Sequence, residues 1–100
     1  MKLQFQSVHF TADQKLKDFI EQKANKLETF YDRIVDGEVF LRLEKNEHRY
    51  DNKLIEIKLN IPGTTLFAKE FATSFEAATD QAVESLRRQL KKYKEKNYSH

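Results

Sequence analysis

Leu54-Ile55-Glu56-Ile57-Lys58-Leu59-Asn60-Ile61 runs directly into Pro62-Gly63. Ile55, Ile57, Leu59 and Ile61 fall on one side of an extended chain; Glu56, Lys58 and Asn60 fall on the other. That period of two is the pattern of a half-buried strand, and Pro-Gly is a turn signal. The neighbouring segments follow from it. Residues 65–72 read as the returning strand, with either Leu66 and Ala68 or Phe67 and Phe71 pointing inward. Residues 38–45 alternate Val39, Leu41 and Leu43 against Phe40, Arg42 and Glu44. The polar stretch from Asn46 to Lys53 between them is long enough for an open hairpin loop. Residues 2–8 alternate Leu3 and Phe5 against Gln4 and Gln6, a first strand.

Two helices separate and close these strands. Thr11-Ala12-Asp13-Gln14 has capping-box spacing, with Thr11 as N-cap. It predicts a helix from about Ala12 to about Phe30, whose apolar stripe is Leu16, Phe19, Ile20, Leu27 and Phe30. Lys23 falls at the rim of that stripe, where its stem packs and its ammonium snorkels outward. Thr73-Ser74-Phe75-Glu76 repeats the spacing with Thr73 as N-cap. The second helix is expected from about Ser74 to about Lys94, with Phe75, Ala78, Ala82, Leu86, Leu90 and Tyr93 inward. Tyr93, on the Leu86/Leu90 side, reads as a packing residue. The fold class is α+β in the order β-α-β-β-β-α, a four-stranded sheet with both helices packed on one face and the other open to solvent. Residues 1–96 form one domain and 97–100 a frayed tail.

Composition agrees with a single domain. The chain has 100 residues, 39% of them hydrophobic, with eight Phe and four Tyr to build a core. It has no cysteine, which excludes a disulfide framework, thiolate chemistry and Cys-based zinc sites. No apolar run approaches a membrane span, and the N-terminus lacks the apolar stretch of a signal peptide, so a cytoplasmic protein without a membrane partner is expected. The two glycines, Gly37 and Gly63, form no phosphate loop. His9, His48 and His100 are scattered, and the acidic pairs Asp32/Asp36 and Glu44/Glu47 sit in turns or loops. Neither catalysis, a metal, a cofactor nor a small-molecule substrate is indicated.

Charge is informative. The net charge is only +2, yet residues 83–96 (VESLRRQLKKYKEK) carry six basic and two acidic residues, +4, leaving −2 elsewhere. At about 100° per residue, Arg87, Lys91 and Lys94 line one flank of the helix, and Arg88, Lys92 and Lys96 the other. A helix macrodipole is satisfied by two or three cations near its C-terminus. Glu84 and Glu95 cannot pair the rest, so the excess points to a phosphate-rich partner rather than an ordinary solvated face.

The segments KLKDFIEQKANKLETFYDRI (15–34), VFLRLEK (39–45) and EAATDQAVESLRRQLKKYKEK (76–96), in this order, resemble the short ribosome hibernation promoting factors, which are related to the ribosome-associated translation inhibitors. The resemblance implies a double-stranded-RNA-binding-like fold that binds ribosomal RNA of the small ribosomal subunit, in the channel of messenger RNA and the A- and P-site transfer RNAs. It implies a translation block in stationary phase or starvation, with inactive ribosome dimers favoured, and leaves open a second factor for ribosome pairing. Lys23 and Lys26 match positions whose basic groups face ribosomal RNA. Arg88, Lys92, Lys94 and Lys96 match the R-Q-L-x-K-x-K-x-K run, and Asp80 matches the aspartate of A-A-x-D. Ser74-Phe75-Glu76 stands where the family has an Asp-Met-Tyr-like lead, Ser85 stands where it has Lys, and Arg87 is an added cation. With Arg87 and Lys91 from the charge pattern, the candidate RNA-binding set is Lys23, Lys26, Arg87, Arg88, Lys91, Lys92, Lys94 and Lys96. The sequence ends soon after the helix, which favours the short promoting factor over the inhibitor. Two competing readings are a protein-interaction module docking through Phe40, Phe67 and Phe71 on the open sheet face, and a binder of free double-stranded RNA.

Overall fold

The computed structural model describes residues 1–44 and 52–98. Strand β1 (Lys2–Val8) leads into helix α1 (Gln14–Asn25) and a 3-10 turn (Lys26–Thr29). Strands β2 (Asp36–Leu43), β3 (Lys53–Ile61) and β4 (Thr64–Ala72) follow, and helix α2 (Phe75–Tyr98) closes the order. The loop expected from Asn46 falls mostly outside the described residues; Glu44 N–H donates to Asn52 C=O at 2.8 Å where it begins and ends.

The sheet order is β1-β2-β3-β4. β1 pairs parallel with β2, and the other two pairs are antiparallel. A parallel pair cannot be joined by a tight turn, so α1 serves as the crossover. β3 and β4 are joined by Pro62 and Gly63 alone, and Gly63 has φ +90°. That positive φ after Pro is the requirement of a type II turn, and glycine meets it without steric cost.

Register settles the facing of β4. Ile57 pairs with Ala68 and Leu59 with Leu66, so Leu66 and Ala68 share the inner face with Ile55, Ile57 and Leu59. Phe67 and Phe71 point outward. The inner face meets both helices in one core: Ile20 from α1, Leu27 and Tyr31 after it, Val39, Leu41, Ile55, Ile57 and Leu59 from the sheet, and Ala78, Ala82, Leu86 and Leu90 from α2. Leu86 and Leu90 are fully buried, and truncating either to Ala would cost about 2–5 kcal/mol. Thr79 is the buried polar residue of that interface among those described; its hydroxyl donates to Phe75 C=O at 2.7 Å and is thereby satisfied.

Four boundaries differ from the sequence reading. Helix α1 is capped by Asp13, not Thr11: Asp13 Oδ1 accepts from Leu16 N–H at 2.8 Å. Ser74, not Thr73, caps α2, its Oγ accepting from Ala77 N–H at 3.0 Å. α1 also stops at Asn25 and tightens into the 3-10 turn rather than running to Phe30. Tyr31, not Phe30, takes the core position: it continues the buried stripe Ile20, Ala24, Leu27 at helical spacing and is 5% exposed, whereas Phe30 beside it is 43% exposed. α2 continues past Lys94 to Tyr98, taking in Asn97, whose amide donates to Tyr93 C=O at 2.8 Å.

Candidate nucleic-acid interface

Helix α2 is acidic in its first half and basic in its second. Glu76, Asp80 and Glu84 precede Arg87, Arg88, Lys91, Lys92, Lys94 and Lys96. This order complements the macrodipole and lets a strongly charged helix form. Its core stripe fixes the rotation of the helix, and the rotation fixes the two flanks. Arg87, Lys91 and Lys94 border a groove of about 460 Å³ that is also lined by Thr29, Phe30 and Glu95. Lys92 and Lys96 lie on the opposite flank, beside Gln89 of the same helix and Thr64 and Leu66 at the start of β4.

The structure brings most of the candidate cations to this one helix in different states. Lys91, Lys92 and Lys96 are exposed and pair with no side chain among the described residues. Lys94 Nζ donates to Phe30 C=O at 2.9 Å and so ties the 3-10 turn to α2. Arg87 is gripped by Glu84 through Nε at 3.0 Å and Nη2 at 2.5 Å. Arg88 Nη1 lies 3.6 Å from the same carboxylate. The Arg87 hydrogen bonds are the main reason that the Glu84 carboxyl is held below its ordinary range, and Arg87 is raised in turn. The ridge between the ribs is thus not purely cationic.

The two α1 candidates are placed differently. Lys23 Nζ sits 3.5 Å from Asp80 Oδ1 and 5.4 Å from the centroid of the Phe19 ring, which links it to α2. Lys26 opens the 3-10 turn, exposed, and its C=O accepts from Thr29 Oγ1 at 2.7 Å. Tyr93 packs as expected: its ring meets Tyr31 edge-on at 6.0 Å, and its hydroxyl donates to Pro62 C=O at 2.8 Å.

Phe30 is the residue that sequence reasoning missed. It lies in the basic groove with the Arg87 guanidinium carbon 5.7 Å from its ring centroid. The signal was the doublet Phe30-Tyr31: adjacent residues on a helical turn cannot both face the core.

The outer sheet face is mixed rather than apolar. Lys58 reaches Glu38 at 3.9 Å, Lys69 reaches Glu56 at 3.9 Å, and Arg42 reaches Glu44 at 2.8 Å. Arg42 lies 5.6 Å from the Phe40 centroid, and Lys69 5.8 Å from that of Phe71. Leu54 is fully buried on this face, between Arg42 and Phe71 in the strand register. Phe67 is 49% exposed.

Among the described residues no group of three or more His, Asp or Glu could hold a metal ion. Among the described residues no helix is long and apolar enough to cross a membrane.

Residues 3–98 match the family described as sigma 54 modulation protein / S30EA ribosomal protein. The chain is 31% identical over 99 residues to the ribosome hibernation promoting factor of Pseudomonas putida, covering 99% of this chain and 92% of that one. It is 31% identical over 100 residues to the ribosome hibernation promoting factor of Escherichia coli, covering 100% of both. Against the ribosome hibernation promotion factor of Deinococcus radiodurans it is 32% identical over 79 residues, 79% of this chain but 41% of that longer protein. In three dimensions it resembles a ribosomal subunit interface protein from Coxiella burnetii, with TM-score 0.83, 21% identity and coverage of 94% and 98%. The N-terminal domain of Thermus thermophilus Protein Y gives TM-score 0.81 at 23% identity, covering 93% of this chain and 99% of that one.

Proposed function

From the premise that this chain belongs to the sigma 54 modulation protein / S30EA ribosomal protein family, we propose that it is a ribosome hibernation factor acting in the cytoplasm. It binds ribosomal RNA of the small subunit in the channel used by messenger and transfer RNA and blocks translation by occupying that volume. The observation that carries this reading is the state of the α2 cations. Lys91, Lys92 and Lys96 are exposed and unpaired among the described residues, and Lys94 and Arg87 border a groove beside them. A folded helix with no ion partner for these charges gains little from them, whereas an RNA backbone releases counterions when they dock. No bond is made or broken. The block is steric and reverses when the factor leaves. Formation of inactive ribosome pairs belongs to the same reading.

Binding should weaken with salt, by a log–log slope of roughly −0.7 to −0.9 per phosphate neutralised. Co-sedimentation with isolated small subunits at low and raised salt tests it. The wild-type chain is expected to bind, to be competed off by messenger or transfer RNA, and to lose binding on Arg88→Glu with Lys91→Glu while its circular dichroism is unchanged. Full binding by the doubly reversed variant removes the reading. Adding the chain to whole ribosomes and following the paired fraction on the same gradient separates a promoting factor from an inhibitor that opposes pairing.

A second reading has one observation in its favour. Phe67 and Phe71 face outward, so the sheet does present aromatic surface to a protein partner. It ranks lower because ion pairs and cations on rings divide that surface into small pieces. It predicts salt-tolerant binding that Phe40→Ser or Phe67→Ser abolishes.

A further inference from the structure

We propose that Phe30, overlaid by Arg87, is a stacking platform for an unpaired RNA base. The proposal rests on the ribosomal RNA reading above. Phe30 is 43% exposed although its two neighbours in the turn, Leu27 and Tyr31, are buried. Nothing in the core requires an aromatic ring at that place.

The backbone that carries the ring is held. Phe30 N–H donates to Leu27 C=O at 3.0 Å, and Phe30 C=O accepts from Lys94 Nζ at 2.9 Å. The Arg87 guanidinium, 5.7 Å from the ring centroid, is itself fixed by Glu84. A flat ring and a planar guanidinium set beforehand lose little freedom when a base joins them. Aromatic rings and arginine planes are the surfaces on which single-stranded bases stack, with little regard to sequence.

The occupant follows from the charges around the ring. Arg87, Lys91 and Lys94 rim the groove against Glu95. A phosphodiester chain supplies the anions for this rim, with a flat base hanging from each sugar. An apolar protein side chain would leave Lys91, exposed on the rim, without an anion. Phosphates on the Lys91 side and a base on Phe30 therefore satisfy the groove together.

The chain contains no tryptophan, so Phe30→Trp places a single reporter at the site. Titrated with isolated small ribosomal subunits, its emission is expected to be quenched; unchanged emission at saturation overturns the platform. In parallel, Phe30→Leu is expected to bind the same subunits about tenfold more weakly than wild type, with the salt slope unchanged, while Phe30→Tyr binds as wild type does. Wild-type affinity in Phe30→Leu overturns the platform and leaves the ribosomal reading standing. A flattened salt slope in Phe30→Leu also overturns it, since the loss would then be of phosphate contacts. A wild-type chain that fails to bind small subunits overturns both. Should Phe30→Leu fail to fold, the tryptophan reporter decides.

Discussion

Glu84 accepts two hydrogen bonds from the Arg87 guanidinium, at 3.0 and 2.5 Å, and lies 3.6 Å from Arg88. One carboxylate therefore partly neutralises the first cation of each rib. Glu84→Gln should strengthen binding to small subunits and steepen the log–log salt slope by roughly one phosphate's worth, about 0.7–0.9. The sign of the pH effect is fixed by the same pair. The Glu84 carboxyl is held below its ordinary value, so the pair contributes fully above the unfolded carboxyl pKa and is lost as pH falls through the lower folded one. Acidification through that window should release Arg87 and raise affinity for RNA in wild type but not in Glu84→Gln. Binding measured down the pH series checks both expectations, and a Glu84→Gln variant that binds more weakly would show that the positioning of Arg87 by Glu84 outweighs the charge that Glu84 masks.

Lys23 was expected to face RNA, and it stands 3.5 Å from Asp80, over the Phe19 ring. Both side chains are partly exposed, 34% and 57%, so the ion pair contributes no more than about 1 kcal/mol. Lys23→Ala should leave thermal stability nearly unchanged and reduce small-subunit binding less than Lys91→Ala, because Lys91 has no side-chain partner to leave among the described residues. Asp80→Asn should raise binding by freeing Lys23. Equal losses for Lys23→Ala and Lys91→Ala would mean that RNA displaces Asp80.

Gly37 sits on β2 beneath the Leu3 side chain of β1. A Cβ at Gly37 would lie 2.7 Å from Leu3 Cδ2, 3.1 Å from Leu59 Cδ2 and 3.3 Å from the Lys58 carbonyl. Gly37→Ala should therefore cost about 1–3 kcal/mol by overpacking. The nearest obstacle is the end of a flexible side chain, so Leu3→Ala should cost less in the Gly37→Ala background than in wild type. Urea unfolding of the four chains closes the cycle. Additive costs would place the clash at the Lys58 backbone, which cannot yield.

Strand phase was the most legible part of the chain. Alternation in 2–8 and 54–61 put Leu3, Phe5, Ile55, Ile57 and Leu59 on the inner face where they are found. In 65–72 both phases carry apolar residues, and only the register Ile57–Ala68 chooses between them. The parallel pairing of β1 with β2 is a long-range fact that no local period encodes. The rotation of α2 was also legible, since the six inward positions from Phe75 to Tyr93 fix it, and the cationic flanks follow. Phe30 was misplaced because it and Tyr31 are adjacent and both aromatic, and the buried stripe of Ile20, Ala24 and Leu27 continues through Tyr31. The ion partners of Lys23, Arg87 and Arg88 needed coordinates, since any of several carboxylates could have reached them.

The helix starts were misread in one direction, and that error makes its own prediction. At both, a Thr in capping-box spacing was followed by a second capping residue, and the later one holds the helix: Asp13 on Leu16 N–H, Ser74 on Ala77 N–H. Asp13 carries a full negative charge to the positive end of α1, and its oxygen makes a charge-assisted bond that a threonine hydroxyl cannot match. Ser74 lies directly before Phe75, whose ring is 8% exposed and stacked on Phe10 at 4.7 Å. Packing thus sets where α2 begins, and the hydroxyl nearest that point becomes the cap. Asp13→Ala and Ser74→Ala should each cost about 1 kcal/mol, a fall of roughly 4–8 °C in Tm for a domain of this size. Thr11→Ala and Thr73→Ala, both at exposed positions, should stay within about 0.5 kcal/mol of wild type. Differential scanning calorimetry on the four variants separates the two assignments; a larger loss at either threonine would mean that its helix starts earlier in solution.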